Sequence, residues 1–175
     1  VLAGSIPKTL PSSVYETLTE LAAANGVKVV VDASGKTLLD VVSHKPFFIK
    51  PNHHELAELF DVEVNSAEDA LVYGKKLVEQ GAQNVVVSMA GDGALLINES
   101  GVYSATVPKG TVKNSVGAGD SLVAGFIASY VKQGDLLEAF QTGVASGSAT
   151  AFSLELCTAE DVKTLREQVS ITKVE

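Results

Sequence analysis

The sequence predicts an α/β fold, a parallel sheet with helices on both faces and one small antiparallel hairpin. Three observations predict it. Short runs rich in branched residues, such as Val27 to Val31 and Val85 to Ser88, recur along the chain. Helical segments of about 10–15 residues separate them, the spacing of βαβ units. Polar clusters such as Lys50-Pro51-Asn52 follow the ends of these runs, where open parallel sheets bind ligands.

The elements follow in order. Val1 to Ser5 reads as the end of a strand. Ser13 and Glu16 have capping-box spacing, and Val14, Leu18, Leu21 and Ala22 continue at helical spacing to Asn25-Gly26. Val27 to Val31 is a buried strand ending at Asp32, and Leu38, Leu39, Val41 and Val42 suggest a short helix. Phe47 to Ile49 is the next strand, with a helix from Asn52 through Phe60. Ser66 and Asp69 open a helix that runs to Gln80, and Val85 to Ser88 is the fourth strand. Ala94 to Asn98 and Val102 to Ala105, around Glu99-Ser100-Gly101, form the hairpin. Helices over Gly119 to Lys132, Leu136 to Phe152 and Ala159 to Val169 close the chain. In the first of them Leu122, Val123, Phe126, Ile127, Tyr130 and Val131 make the apolar stripe.

The 175 residues suffice for one domain, or one large lobe of a bigger protein. A hydrophobic content of 46% and mean hydropathy of +0.23 suit a globular enzyme core. The net charge of −8 argues against a nucleic-acid partner, and no apolar run approaches the ~18 residues of a membrane span. The single cysteine, Cys157, allows no internal disulfide and points to the cytoplasm. Its bland reading is a small buried apolar residue. Because the chain opens on Val1, with nothing ahead of its first strand, we expect a fragment without its N-terminal part.

Four constellations carry chemistry. Asn114-Ser115-Val116-Gly117-Ala118-Gly119-Asp120-Ser121 is a glycine turn entering a helix. Helix starts present unpaired N–H groups that attract anions, and glycines let an anion approach the backbone. Asp120 then stands as a base at the rim of an anion cradle; the bland reading is a tight loop with an acid that complements the helix dipole. In Lys50-Pro51-Asn52-His53-His54-Glu55, Asn52 and Glu55 share a helix face. They read either as a cap or as an oxygen pair holding Mg²⁺ through water. Lys50 reads as a phosphate contact or a solvated lysine, and His53 and His54 as exposed first-turn residues. Ser88-Met89-Ala90-Gly91-Asp92-Gly93 reads as a plain connection or as a nucleotide wall. Gly143-Val144-Ala145-Ser146-Gly147 reads as a close helix contact or a surface for adenine, with packing favoured. No Walker loop and no dinucleotide fingerprint is present.

Asn114 to Phe126 resembles the C-terminal signature of the ribokinase/PfkB carbohydrate kinase family. Lys50-Pro51-Asn52-His53-His54-Glu55-Leu56 is similar to that family's NxxE segment in its KPNxxEL form. With Gly4-Ser5-Ile6-Pro7 and Ala145 to Phe152, it points to the phosphosugar branch of 1-phosphofructokinase and tagatose-6-phosphate kinase. The resemblance implies a three-layer αβα ribokinase-like fold. Residues 1–175 would be its C-terminal, nucleotide-binding and catalytic part, without the sugar-binding part and lid.

It also implies roles. Asp120 takes the proton from the sugar hydroxyl, and the N–H groups of Gly117, Ala118 and Gly119 form the anion hole. Asn52 and Glu55 organise Mg²⁺. Lys50, Ser88, Ala90, Gly91, Gly93 and Gly119 border ATP. Ser5 and Asp120 face the sugar phosphate, and Asp32 lines the cleft. The implied activity is ATP-dependent phosphorylation of a ketohexose phosphate, fructose 1-phosphate first, by a cytoplasmic homodimer. The isolated fragment should be inactive. Two departures stand out: Ala90 replaces a usual glycine, and Thr9 stands where a glycine often follows the Gly4-Ser5 segment. The rival reading is a nucleotide- or sugar-phosphate-binding regulatory module without catalysis.

Overall fold

The computed structural model describes all residues from Val1 to Glu175. The chain divides into two compact units. The first comprises Val1–Met89 with Leu95–Val102 and Glu175; the second comprises Ala90–Ala94 and Tyr103–Val174.

In the first unit the strands lie in chain order: β1 (Leu2–Ala3), β2 (Val30–Asp32), β3 (Phe48–Ile49), β4 (Asn84–Ser88) and β5 (Ala94–Asn98). β1 to β4 are parallel, with Leu2 opposite Val31, Val31 opposite Ile49, and Ile49 opposite Val85. The connections are α1 (Val14–Ala24), α2 (Gly35–Val42), and α3 (His53–Phe60) with α4 (Ala67–Glu79). Val31, Ile49, Val85 and Val87 from the strands pack with Leu38, Val41, Leu56 and Leu77 from the helices in one core. Fully apolar strands of this kind belong to a sheet covered on both faces. Asn84 is a buried exception: its amide donates to the Phe47 carbonyl at 2.8 Å and accepts from Asn98 at 3.0 Å.

Most helix starts behave as their sequences predict. The Ser66 hydroxyl accepts the Asp69 N–H at 3.1 Å. The N–H of Asn65, and then Ser66, hold the Asp69 carboxyl below the usual carboxylate range. α1 differs. Ser13 sits at φ −82°, ψ 5° and makes no side-chain cap, because this turn conformation does not aim the hydroxyl at the helix N–H groups. Glu16 instead lies 3.2 Å from the His44 imidazole. β2 also starts later than the expected Val27. The Val27 N–H closes the end of α1 on the Ala22 carbonyl, so Val27 is outside the ladder.

The second unit is built on two long helices, α5 (Ala118–Gln133) and α6 (Leu136–Ala151), with α7 (Ala159–Arg166). Gly117 and Gly134 bound α5 in left-handed conformation, at φ 78° and 73°. The Asp135 carboxylate caps α6 by accepting the N–H groups of Leu137 and Glu138 at 2.8 and 2.9 Å. Leu122, Val123 and Phe126 of the expected stripe are buried with Phe140 and Val144. Val131 is 80% exposed, since nine steps of a 3.6-residue helix carry it half a turn from Leu122.

α5 and α6 meet where side chains are smallest. A Cβ on Gly143 would lie 2.9 Å from the Leu122 carbonyl, and one on Gly147 would lie 3.0 Å from the Ala118 carbonyl. The Gly143 to Gly147 stripe is therefore a packing seam, the favoured of its two readings.

β6 (Gly101–Ala105) follows β5 across Glu99-Ser100, where the Ser100 N–H donates to Asn98 Oδ1 at 2.9 Å. The last helix stops at Arg166, short of the expected Val169. Ile171–Lys173 forms β7, antiparallel to β6 with Ala105 opposite Ile171. Three residues, two of them polar, are too short for a periodic signal, so sequence reasoning missed this strand.

Gly143→Ala tests the seam. Alanine gains about 1 kcal/mol of helix propensity, but overpacking against a fixed carbonyl costs about 1–3 kcal/mol. A net loss of about 1 kcal/mol is expected in denaturant unfolding of the full-length protein.

Candidate active site

The parallel direction of β1 to β4 brings their carboxyl ends to one edge of the first unit. Ser5, Asp32, Lys50 and Ser88 all stand at that edge. The Gly4 N–H donates to the Asp32 carbonyl at 3.0 Å, which ties the Gly4-Ser5 segment to the end of β2. Tyr15, from α1, adds a hydroxyl donated to the Ala3 carbonyl at 2.8 Å. Lys50 is 6% exposed, and its Nζ lies 3.5 Å from Asp32 Oδ1. It is a buried cation with a carboxylate partner, so the reading of Lys50 as a solvated lysine is overturned.

Asn52 and Glu55 form a reciprocal capping box at the start of α3. Asn52 Oδ1 accepts the Glu55 N–H at 2.9 Å, and Glu55 Oε2 accepts the Asn52 N–H at 2.8 Å. Asn52 bridges to Ser88 in parallel register, and the Ser88 N–H donates to the Pro51 carbonyl at 3.2 Å. The capping pair is thereby fixed against the end of β4. His53 is half-buried rather than exposed, with Nδ1 3.4 Å from the Ser88 carbonyl; His54 is exposed.

The capping box bears on the Mg²⁺ reading. It engages one oxygen of each side chain and leaves Glu55 Oε1 outside the box. The free Glu55 Oε1 and the Asn52 Oδ1, half-buried and held this rigidly, are oxygen acceptors that fit the waters of a hydrated Mg²⁺.

The other sequence-predicted residues belong to the second unit. Ala90–Asp92 is a single 3-10 turn, with Ala90 at φ 49° and Gly93 at φ 99°. The position where Ala90 replaces the usual glycine is thus a left-handed one, and the alanine carries strain of about 1 kcal/mol there. Gly93 must be glycine, because a Cβ would meet the Ala105 carbonyl at 2.2 Å.

Around Gly117, the Asn114 side chain accepts the Val116 N–H at 3.0 Å, and the Ser115 carbonyl accepts the Ala118 N–H at 3.2 Å. The Ala118 N–H, expected in the anion hole, is engaged by this turn. The Gly117 carbonyl accepts the Ser121 N–H at 2.9 Å and starts α5. Asp120 is exposed in the first turn. The partial positive charge of the helix start, the left-handed glycine and an accessible carboxylate thus coincide.

Sequence reasoning missed what anchors this turn. The N–H groups of Lys113 and Asn114 both donate to the Ala151 carbonyl at the end of α6, at 2.8 and 3.2 Å. The Thr150 hydroxyl donates to Ser121 Oγ at 2.8 Å and accepts the Cys157 N–H at 3.1 Å. All but the short Cys157–Thr150 contact join residues far apart along the chain, Thr150 and Ser121 by 29 positions, and no local spacing announces them.

The chain matches the profile of the pfkB family carbohydrate kinases over residues 1–162. The chain belongs to this family. A 1-phosphofructokinase of Bacillus subtilis is 57% identical over 174 residues, which is 99% of this chain and 57% of that protein. A D-tagatose-1-phosphate kinase of Bacillus licheniformis is 36% identical, over 98% of this chain and 57% of its own length. The crystal structure of a presumed phosphofructokinase of Staphylococcus aureus superposes with a TM-score of 0.93 at 42% identity. It is covered over 99% of this chain and 56% of its own. The chain therefore spans little more than half the length of the relatives it matches.

Membership of the pfkB family bears out the resemblance in Asn114 to Phe126 and Lys50 to Leu56. It also accounts for the layered α/β architecture.

The cap is testable by itself. Asn52→Ala should destabilise the full-length protein by about 1 kcal/mol, and Asn52→Asp, which retains an acceptor, by a few tenths at most. Denaturant midpoints at constant slope give the comparison.

Proposed function

We propose that the full-length protein transfers the γ-phosphoryl group of ATP to a ketohexose phosphate, fructose 1-phosphate in the first place. On this reading the chain is the nucleotide-binding and catalytic portion of a longer kinase, and most sugar contacts come from outside its 175 residues. The observation that carries the proposal is Asp120, exposed at the first turn of a helix whose N-cap is a left-handed glycine, in a chain of the pfkB family.

Phosphoryl transfer asks mainly for positioning and for stabilisation of charge on the transferring group. Asp120 takes the proton of the sugar hydroxyl as that oxygen bonds to phosphorus; the bond to the bridging oxygen breaks, and ADP leaves. The backbone at Gly117 and Gly119 accommodates the phosphoryl oxygens, supported by the helix dipole. Since the Ala118 N–H already serves the turn, its share is smaller than the sequence suggested. Lys50 offers its ammonium to the nucleotide phosphates, and Ser88 with Ala90, Gly91 and Gly93 borders the nucleotide. Asn52 and Glu55 would hold Mg²⁺ through its waters, and the ion would supply neutralisation of charge on the ATP phosphates. Ser5 faces the sugar side. The proposal extends to a homodimer, drawn from the family resemblance. It also extends to the cytoplasm, which suits a chain whose single cysteine is a free thiol.

The branch resemblance offers tagatose 6-phosphate as the competing substrate, and the similarity to a D-tagatose-1-phosphate kinase favours tagatose 1-phosphate in its place. Coupled ADP-release assays of the full-length protein with fructose 1-phosphate and both tagatose phosphates decide among them. In the same assay Asp120→Asn should lower kcat by about 10²–10⁴-fold while leaving ATP affinity within a few-fold of normal. Retention of most of the rate would remove Asp120 from the role of base.

A further inference from the structure

Lys50 is more confined than a phosphate-binding lysine on a flexible stem needs to be. It stands one residue past β3, and its side chain is almost wholly out of water. The partner that makes this burial tolerable is Asp32, at 3.5 Å. The placement follows from the register: Val31 pairs with Ile49, so Asp32 and Lys50 occupy the next step along the same two parallel strands. Asp32 is itself held, since its carbonyl receives the Gly4 N–H at 3.0 Å and its backbone pairs with Ala3.

We infer that Asp32 is a positioning residue that aims the Lys50 ammonium at the nucleotide phosphates, an inference that rests on the nucleotide role proposed above for Lys50. An ammonium has three N–H donors. One carboxylate oxygen at 3.5 Å engages at most one of them and leaves the others for a second anion. A four-carbon stem without a fixed carboxylate samples many directions, and the Asp32 carboxylate selects one. The arrangement lies at the strand-end edge that also carries Asn52 and Ser88, where ligands of such sheets bind. A purely structural pair has no such requirement of place, and apolar residues of similar volume serve stability as well or better.

The Asp32 carbonyl also fastens Gly4, next to Ser5. The same residue therefore holds the lysine through its side chain and the Gly4-Ser5 segment through its backbone. A side-chain substitution separates the two functions.

The test is a double-mutant cycle in the full-length protein with wild type, D32N, K50M and D32N/K50M. ATP affinity is measured by calorimetry, and kcat and KM by ADP release. D32N should weaken ATP affinity or kcat/KM by about tenfold, yet cost less than about threefold when Lys50 is already Met. D32E, which keeps the charge but displaces it by one methylene, should recover part of the loss, and it replaces D32N in the cycle if that variant does not fold. An unaltered D32N protein, or a D32N effect of the same size in the K50M background, overturns the inference. If the wild type binds ATP but phosphorylates no ketohexose phosphate, the proposed function fails while the affinity cycle still decides the role of Asp32.

Discussion

The close approach of α5 to α6 is the constraint on which the catalytic half of the proposed site depends. Gly143 and Gly147 let α6 come against the Leu122 and Ala118 carbonyls with no room for a methyl group. Ala118 is the first residue of α5, so the seam fixes the point at which the helix begins. From the other side, the Ala151 carbonyl holds Lys113 and Asn114, and the Thr150 hydroxyl holds Ser121. The glycine turn is thus clamped along both flanks by one helix. A turn that binds a highly charged, transient group must not reorganise when charge develops, because the value of such a site lies in its preorganisation. Here packing supplies it.

The first unit solves a similar problem with polar contacts. Asn52 and Glu55 satisfy each other's backbone N–H groups, and the Asn52–Ser88 bridge fixes that pair to the end of β4. The capping and metal readings of this segment are therefore compatible. A capping box immobilises its side chains, and a hydrated cation gains from ligands that have already lost their freedom. The Lys50–Asp32 pair applies the same logic to a flexible cation. In both places a polar side chain at a strand end is restrained by a partner within hydrogen-bonding or ion-pair reach.

Much of this was legible in the sequence because the signals were local. Alternating strands and helices announced the α/β class, and Ser66 and Asn52 announced their helix starts through three-residue spacings. The glycine turn and the acid at α5 stood out for the same reason. What escaped depends on contacts distant along the chain. Ser13 and Glu16 have the right spacing for a box, but Glu16 lies against His44, 28 residues away. β7 exists because it pairs with β6, and its own three residues say nothing of it. Lys50 looked like a surface lysine until the parallel register placed Asp32 beside it. Spacing reads what a segment can do alone; it does not read which distant partner will compete for its side chains.

The central claim is that the glycine turn before Asp120 is a rigid phosphoryl-transfer site, and Gly117 is its most exposed point of failure. An alanine there must hold φ near +78°, with its methyl 3.0 Å from the Leu156 side chain; the backbone relaxes at a cost of about 1–2 kcal/mol. The most direct measurement is the kcat of full-length Gly117→Ala with saturating ATP and fructose 1-phosphate, taken beside its unfolding midpoint. The account predicts a folded protein whose kcat falls about 10-fold to 10²-fold, with ATP affinity little changed. A folded variant that turns over at the wild-type rate would contradict it.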